Sequence, residues 1–171
     1  MNTFLILRVL HVILASVWFG GVVVMFFFVI PAIKEARAGG GAVMAAVQRR
    51  NYPVVMQAIA GLTVLSGLYL YWHFTAGFDP VVSASREAKV FGGGGVAGIL
   101  ALVIGASMAG RSMKKIGEIM AKAATMPDGP AKLALVESVA PLQAKAEFYG
   151  RIVIVLMLIA IVTMSIGHYV G

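Results

Sequence analysis

The chain has 171 residues, 60% of them apolar and 12% charged, with a mean hydropathy of +0.93 and a formal net charge of +7. A soluble domain carries about twice that charged fraction, so an ordinary soluble fold is excluded. With no cysteine, the chain holds no disulfide, thiolate metal site, iron–sulfur cluster or covalent CxxCH haem.

The first apolar run, about Val9–Ile30, is long enough to cross the bilayer core as a helix, which takes about 20 residues. Pro31 is expected to end it. The run is longer than a signal-peptide core and contains Trp18 and Phe26–Phe28, so it reads as a retained span. The next loop carries Lys34, Arg37, Arg49 and Arg50 against Glu35. Asn51-Tyr52-Pro53 is a helix-start signal, and the second span follows at about Val54–Phe74. The loop after it has only Arg86 and Lys89, offset by Asp79 and Glu87.

The third span is about Val90–Ala109. Its "GGGGVAG" contains a literal G-x-G-x-x-G, but no strand precedes it, so it is not a dinucleotide fingerprint. Gly94 and Gly98 read instead as a small-xxx-small face for close helix packing. The third loop holds Arg111, Lys114, Lys115, Lys122, Lys132 and Lys145, with Arg151 at its end. Residues 111–124 form an amphipathic continuation, with Met113, Ile116 and Met120 on one side. "TMPDGP" is a turn, a short helix follows, and Pro141 opens the helix into the fourth span, about Ile152–Val170. This loop is expected to be a helical hairpin lying on the inner membrane surface, with docking of a partner subunit as its alternative role.

The expected fold is therefore all-α: an integral-membrane four-helix bundle, one transmembrane domain over residues 1–171. The spans are about 9–30, 54–74, 90–109 and 152–170. Basic loops 31–53 and 110–151 face the cytoplasm, and both termini face outside. The cations flank spans, which places them against anionic lipid rather than nucleic acid.

That topology makes the polar residues informative. All three histidines, His11, His73 and His168, fall toward the outer ends of spans. His11 lies three residues after Arg8, roughly 5 Å deeper along the helix. Ionisable groups inside a membrane usually face the protein interior and serve function. A histidine near the interface also serves as an anchor or an interhelical hydrogen-bond donor. Two cofactors suit the set. Haem b takes imidazole axial ligands, here from two of the three histidines, with Arg8, Arg86 or Lys89 for the propionates. Copper takes imidazole and thioether, here His11, His73, His168 and Met164, the last being i, i+4 from His168. Most of the ten methionines read as core filler. The spans hold no carboxylate relay, and the chain has no H-E-x-x-H and no Ser-His-Asp arrangement.

At "LRVLHVILASVWFGGVVVMFFFVIPAI" the chain resembles the first span of small membrane proteins around the copper-resistance D (CopD) family. It is also similar to the first span of HemJ-type protoporphyrinogen oxidases. The shared pattern is a histidine followed about seven residues later by Trp-x-Gly-Gly: His11, Trp18, Gly20 and Gly21. "GLTVLSGLYL", "REAKVFGGGG" and the long basic third loop add to it. The resemblance implies a membrane helical bundle with a histidine-centred site for haem or copper, and His11 carries over. Lys89 matches a lysine near a span start in HemJ-like proteins, but the extended polar motifs of the oxidases are not evident in span two.

The leading expectation is a haem b protein carrying electrons near the outer face, between quinone or a membrane partner and an external partner. His11 is the first axial ligand and His73 or His168 the second. The alternatives are CopD-like copper binding or transport, a non-catalytic subunit of a larger membrane complex, and a HemJ-like oxidase. Enzymatic activity and homo-oligomerisation are left open.

Overall fold

The computed structural model describes residues 3–36 and 40–170, and every regular element in them is helical. Arg37 of the first basic loop lies outside the described residues. The elements are α1 (Thr3–Glu35), α2 (Gly40–Arg49), α3 (Tyr52–Phe74), α4 (Pro80–Ser83), α5 (Arg86–Ala124), α6 (Pro130–Glu137) and α7 (Ala140–Ile166). A 3-10 turn, Gly167–Tyr169, follows α7. Four helical stretches are long and apolar enough to cross a membrane: α1, α3, α5 and the run Pro130–Tyr169 that contains α7.

Apolar residues surround these helices instead of forming a single stripe. Val9, Val12, Ile13 and Val17 of α1 are all exposed, as are Leu62, Leu65 and Leu68 of α3. A helix apolar all round is stable only where its outer surface meets hydrocarbon or protein. The shared interior is small. Trp18 of α1, Ala60 of α3, Ala101 of α5, and Val153 and Met157 of α7 form one buried cluster, to which each long helix contributes.

α1 packs along α3, and α5 along α7. Both pairs are antiparallel. On the first, Gly21 meets Tyr52, His11 meets Thr63, and Phe4 meets His73. On the second, Gly105 lies beside Val153, Gly94 beside Thr163, and Phe91 beside His168. A side chain at Gly94 would run into Thr163 and Met164, whereas one at Gly98 would meet nothing within 4 Å. The close-packing seam is therefore Gly94, Ala97 and Ala101, all buried, and Gly98 lies off it.

Pro31 does not end the first helix, which runs on to Glu35. A π turn over Met25–Val29 immediately precedes it, with the Ile30 N–H donating to the Met25 carbonyl. Pro31 lacks an N–H, and its ring crowds the carbonyl one turn back. Shifting the hydrogen-bond register by one residue before the proline relieves that crowding and lets the helix continue.

A second π turn, Gly105–Ala109, sits where the third span was expected to stop. Gly110 continues the helix, so residues 110–124 belong to α5 and are not a separate surface helix. At 1.5 Å per residue, α5 spans about 58 Å, nearly twice the hydrocarbon thickness. Its extension buries Ser112, Ile116 and Ala123, exposes Lys114, Lys115 and Lys122, and packs against α6 and α7. The turn Thr125–Gly129 and the helix start at Pro141 fall where the sequence puts them.

Overpacking a helix seam costs about 1–3 kcal/mol. Gly94→Val is expected to lower the thermal midpoint of the detergent-purified protein by several degrees, and Gly98→Val to leave it unchanged. Circular dichroism melts of the two variants check this.

Candidate cofactor site

The chemistry-bearing side chains collect at the end of the long helices where α1 begins and α3 and α7 finish. Thr63 and Ser66 face α1 from one side of α3, three residues apart, and both are buried. Each hydroxyl donates back to its own helix, Thr63 to the Ile59 carbonyl and Ser66 to that of Leu62. His11 reaches the same strip. Its Nδ1 lies 2.9 Å from the Thr63 carbonyl oxygen and 3.1 Å from Ser66 Oγ.

A carbonyl oxygen can only accept, so His11 Nδ1 carries the hydrogen, and in the neutral ring Nε2 then holds the lone pair. Among the described residues Nε2 has no hydrogen-bond partner. An imidazole fixed through Nδ1–H, with Nε2 free, is the form that binds a metal ion or haem iron. The donor chemistry of His11 therefore fits an axial ligand. The approach depends on Gly67, since a Cβ there would stand 2.8 Å from His11 Cε1. In a helix the side chain at i+4 leans back over the carbonyl at i, so a larger residue 67 would cover the Thr63 oxygen.

His168 is held differently. Its Nε2 lies 3.3 Å from Arg8 Nη2, which can only donate, so here too Nε2 carries the lone pair. Nδ1–H then donates to Glu87 Oε1 at 2.5 Å. The imidazole joins α1, α5 and the end of α7, with its edge against Phe91 at a centroid separation of 5.1 Å. Gly167 makes this possible, because a side chain there would strike the Phe91 ring. Again Nδ1 is anchored, this time by a carboxylate, and Nε2 faces a group that can move.

His73 is exposed near the end of α3. Its ring lies 4.9 Å from that of Phe4 and 6.4 Å from that of Tyr69. Phe4 is two turns before His11 on α1, so His73 is farther out than His11. Beyond it Ala76, Gly77 and Phe78 all adopt positive φ, and the buried Thr75 hydroxyl receives the Phe78 N–H. That strained turn holds the end of α3 closed over Thr75.

The structure thus brings Arg8 and His168 into contact, with His11 one helical turn inward of Arg8. His73 is apart, on the aromatic rim. Met164 and His168 both lie against α5, Met164 by Gly94 and His168 by Glu87 and Phe91, with the α-helix ending at Ile166 between them. Among the described residues no three of His, Cys, Asp and Glu are grouped to hold a metal ion. Sequence reasoning missed Thr63, Gly67 and Glu87. The available signal was the polar pair Thr63 and Ser66 at i, i+3 inside an apolar span, followed directly by a glycine.

Comparison with protein-family models, with curated proteins and with solved structures finds no match.

Arg8 and Glu87 both act through His168, so their removal should not be additive. Arg8→Gln and Glu87→Gln are each expected to destabilise slightly, with a coupling of about 0.5–1 kcal/mol for these partly exposed groups. A double-mutant cycle read by thermal unfolding measures it. Additive effects would show that the two groups do not share His168.

Proposed function

We propose that the chain is an integral-membrane four-helix bundle that binds one haem b near the non-cytoplasmic face and carries electrons there. The observation that carries this reading is the anchoring of His11 through Nδ1–H to the Thr63 carbonyl, which leaves Nε2 as a ligand. His168, anchored through Nδ1 by Glu87, would be the second haem ligand in preference to His73, whose ring lies against Phe4 and Tyr69. For His168 to ligate, Arg8 must leave its Nε2. Arg8 has five N–H donors, enough to turn to a propionate carboxylate at the same level.

A haem b held by two imidazoles supplies a reversible one-electron couple without an open coordination position for substrate. The protein's own contribution is electrostatic and positional. The Thr63 carbonyl and the Glu87 carboxylate each draw on an imidazole N–H, which makes the opposite nitrogen a stronger donor. The basic loops set the orientation, with the ends of α3 and α7 outside and the α5 extension in the cytoplasm. Electrons would pass between quinone or a membrane partner and an acceptor outside.

Absorbance of the detergent-purified protein, oxidised and dithionite-reduced, tests the proposal. The expected result is sharp reduced b-type bands, lost in His11→Ala and in His168→Ala and kept in His73→Ala. Folded, haem-replete protein without such bands would overturn the reading, and metal analysis would then test copper. Gly67→Leu is expected to remove at least about nine-tenths of the bound haem by displacing the His11 ring, a loss of about 1.4 kcal/mol or more. Unchanged haem content in folded Gly67→Leu would show that the Thr63 contact does not position the ligand.

A further inference from the structure

At the opposite end of the long helices, α1 meets α7 through the Lys34–Glu147 pair and the seating of Phe26 on Gly150. Between them is a cleft of about 400 Å³ lined by Phe26, Phe27, Ile30 and Pro31 of α1, and by Lys34, Glu147 and Arg151 at its rim. Phe26 and Phe27 belong to the π turn, and Phe26 is seated against Gly150, where a Cβ would stand 2.8 Å from its ring. The apolar wall therefore occupies fixed positions. Phe26, Ile30 and Lys34 follow one another at i, i+4 and i+8, so one side of α1 changes from aromatic to cationic over about 12 Å.

The charges at the rim are unequal. Lys34 is paired with Glu147, which cancels one cation. Arg151 is exposed and makes no hydrogen bond or ion pair among the described residues. The cleft is thus an apolar slot with one uncompensated guanidinium at its mouth. A guanidinium fits a phosphodiester with paired N–H donors. A free phosphate would leave the aromatic wall unused. A neutral quinone would leave the guanidinium without an anion.

We propose that this cleft binds an anionic phospholipid, with its phosphate on Arg151 and one acyl chain along Phe26, Phe27 and Ile30. The inference rests on the membrane reading and is independent of haem. Basic pockets between membrane helices on the cytoplasmic side are the usual place for such lipids. Bound there, the lipid adds to the few direct contacts between α1 and α7.

Native mass spectrometry of the full-length protein, with phosphatidylglycerol and phosphatidylcholine added separately, tests the assignment alongside thermal melts. The expected result is one retained phosphatidylglycerol, preferred over phosphatidylcholine, and a raised melting temperature. Arg151→Gln should reduce that preference about tenfold, the loss of one charge-assisted contact. Ile30→Trp should block retention with the charge unchanged. Lys114→Gln with Lys115→Gln, which removes two cations from the α5 extension, should leave retention as it was.

Equal retention of the two lipids would overturn the proposal. So would equal losses from Arg151→Gln and from the paired lysine variant, which would show diffuse attraction only. Glycerol phosphate raising the melting temperature as much as the lipid would reassign the cleft to a free anion. Displacement of the lipid by a short-chain quinone would reassign it to a quinone.

Discussion

The Thr63 carbonyl is the point on which the candidate site depends. A backbone carbonyl within a helix already accepts from the N–H four residues on, but it has a second lone pair. In an apolar span that lone pair is normally out of reach, because the side chain at i+4 leans over it. Here position 67 is glycine, the oxygen is open to the side, and an imidazole from the neighbouring helix takes it. One missing side chain thus admits the imidazole to the Thr63 carbonyl and fixes which of its nitrogens is left free.

The rest of the structure handles polar groups by the same logic of local closure. Ser16, Thr63, Ser66, Ser112, Thr163 and Ser165 all donate to carbonyls of their own helices. Hydroxyls closed in this way cost little in hydrocarbon but join nothing together. The polar links between long helices are few, and each sits at a defined height. Tyr52 donates to the Gly21 carbonyl and His11 to that of Thr63, while His168 bridges Arg8 and Glu87. Between these links the helices are held by shape, through Gly94, Ala97 and Ala101 on α5.

Much of this was legible in the chain. Hydropathy alone places four long apolar helices, because a run of about 20 apolar residues has few other readings. The turn at 125–129 and the helix start at Pro141 follow from local chemistry. The errors have physical causes. Pro31 reads as a stop because its missing N–H breaks the i→i−4 pattern, and a π turn that changes the pattern just before it leaves no compositional trace. The amphipathic continuation after Ala109 was legible, because composition turns polar there while the helical periodicity goes on, but the π turn that joins it to the span was not. Gly94 was found and Gly98 wrongly joined to it, since a sequence shows which residues are small but not which of them meet a neighbour. Within the site, His11 stood out as an ionisable group in an apolar run. Its partner could not, because a backbone carbonyl has the same formula at every position.

The two helix pairs differ in what holds them, and this bears on how the molecule responds to ligands. α5 and α7 are joined by a glycine–alanine seam with little space to give, so they behave as one rigid unit. α1 is tied to α3 by directional bonds at Tyr52 and His11, and to the α5–α7 pair at Arg8, in the Trp18 cluster, and at Phe26 and Lys34. Drawing Arg8 away from His168 removes one of those ties, whereas a lipid between Phe26 and Arg151 adds one at the other end. The two proposed sites would therefore act on the same element, α1, from opposite ends of the long helices. A change in how α1 leans is the motion through which either would be felt at the other.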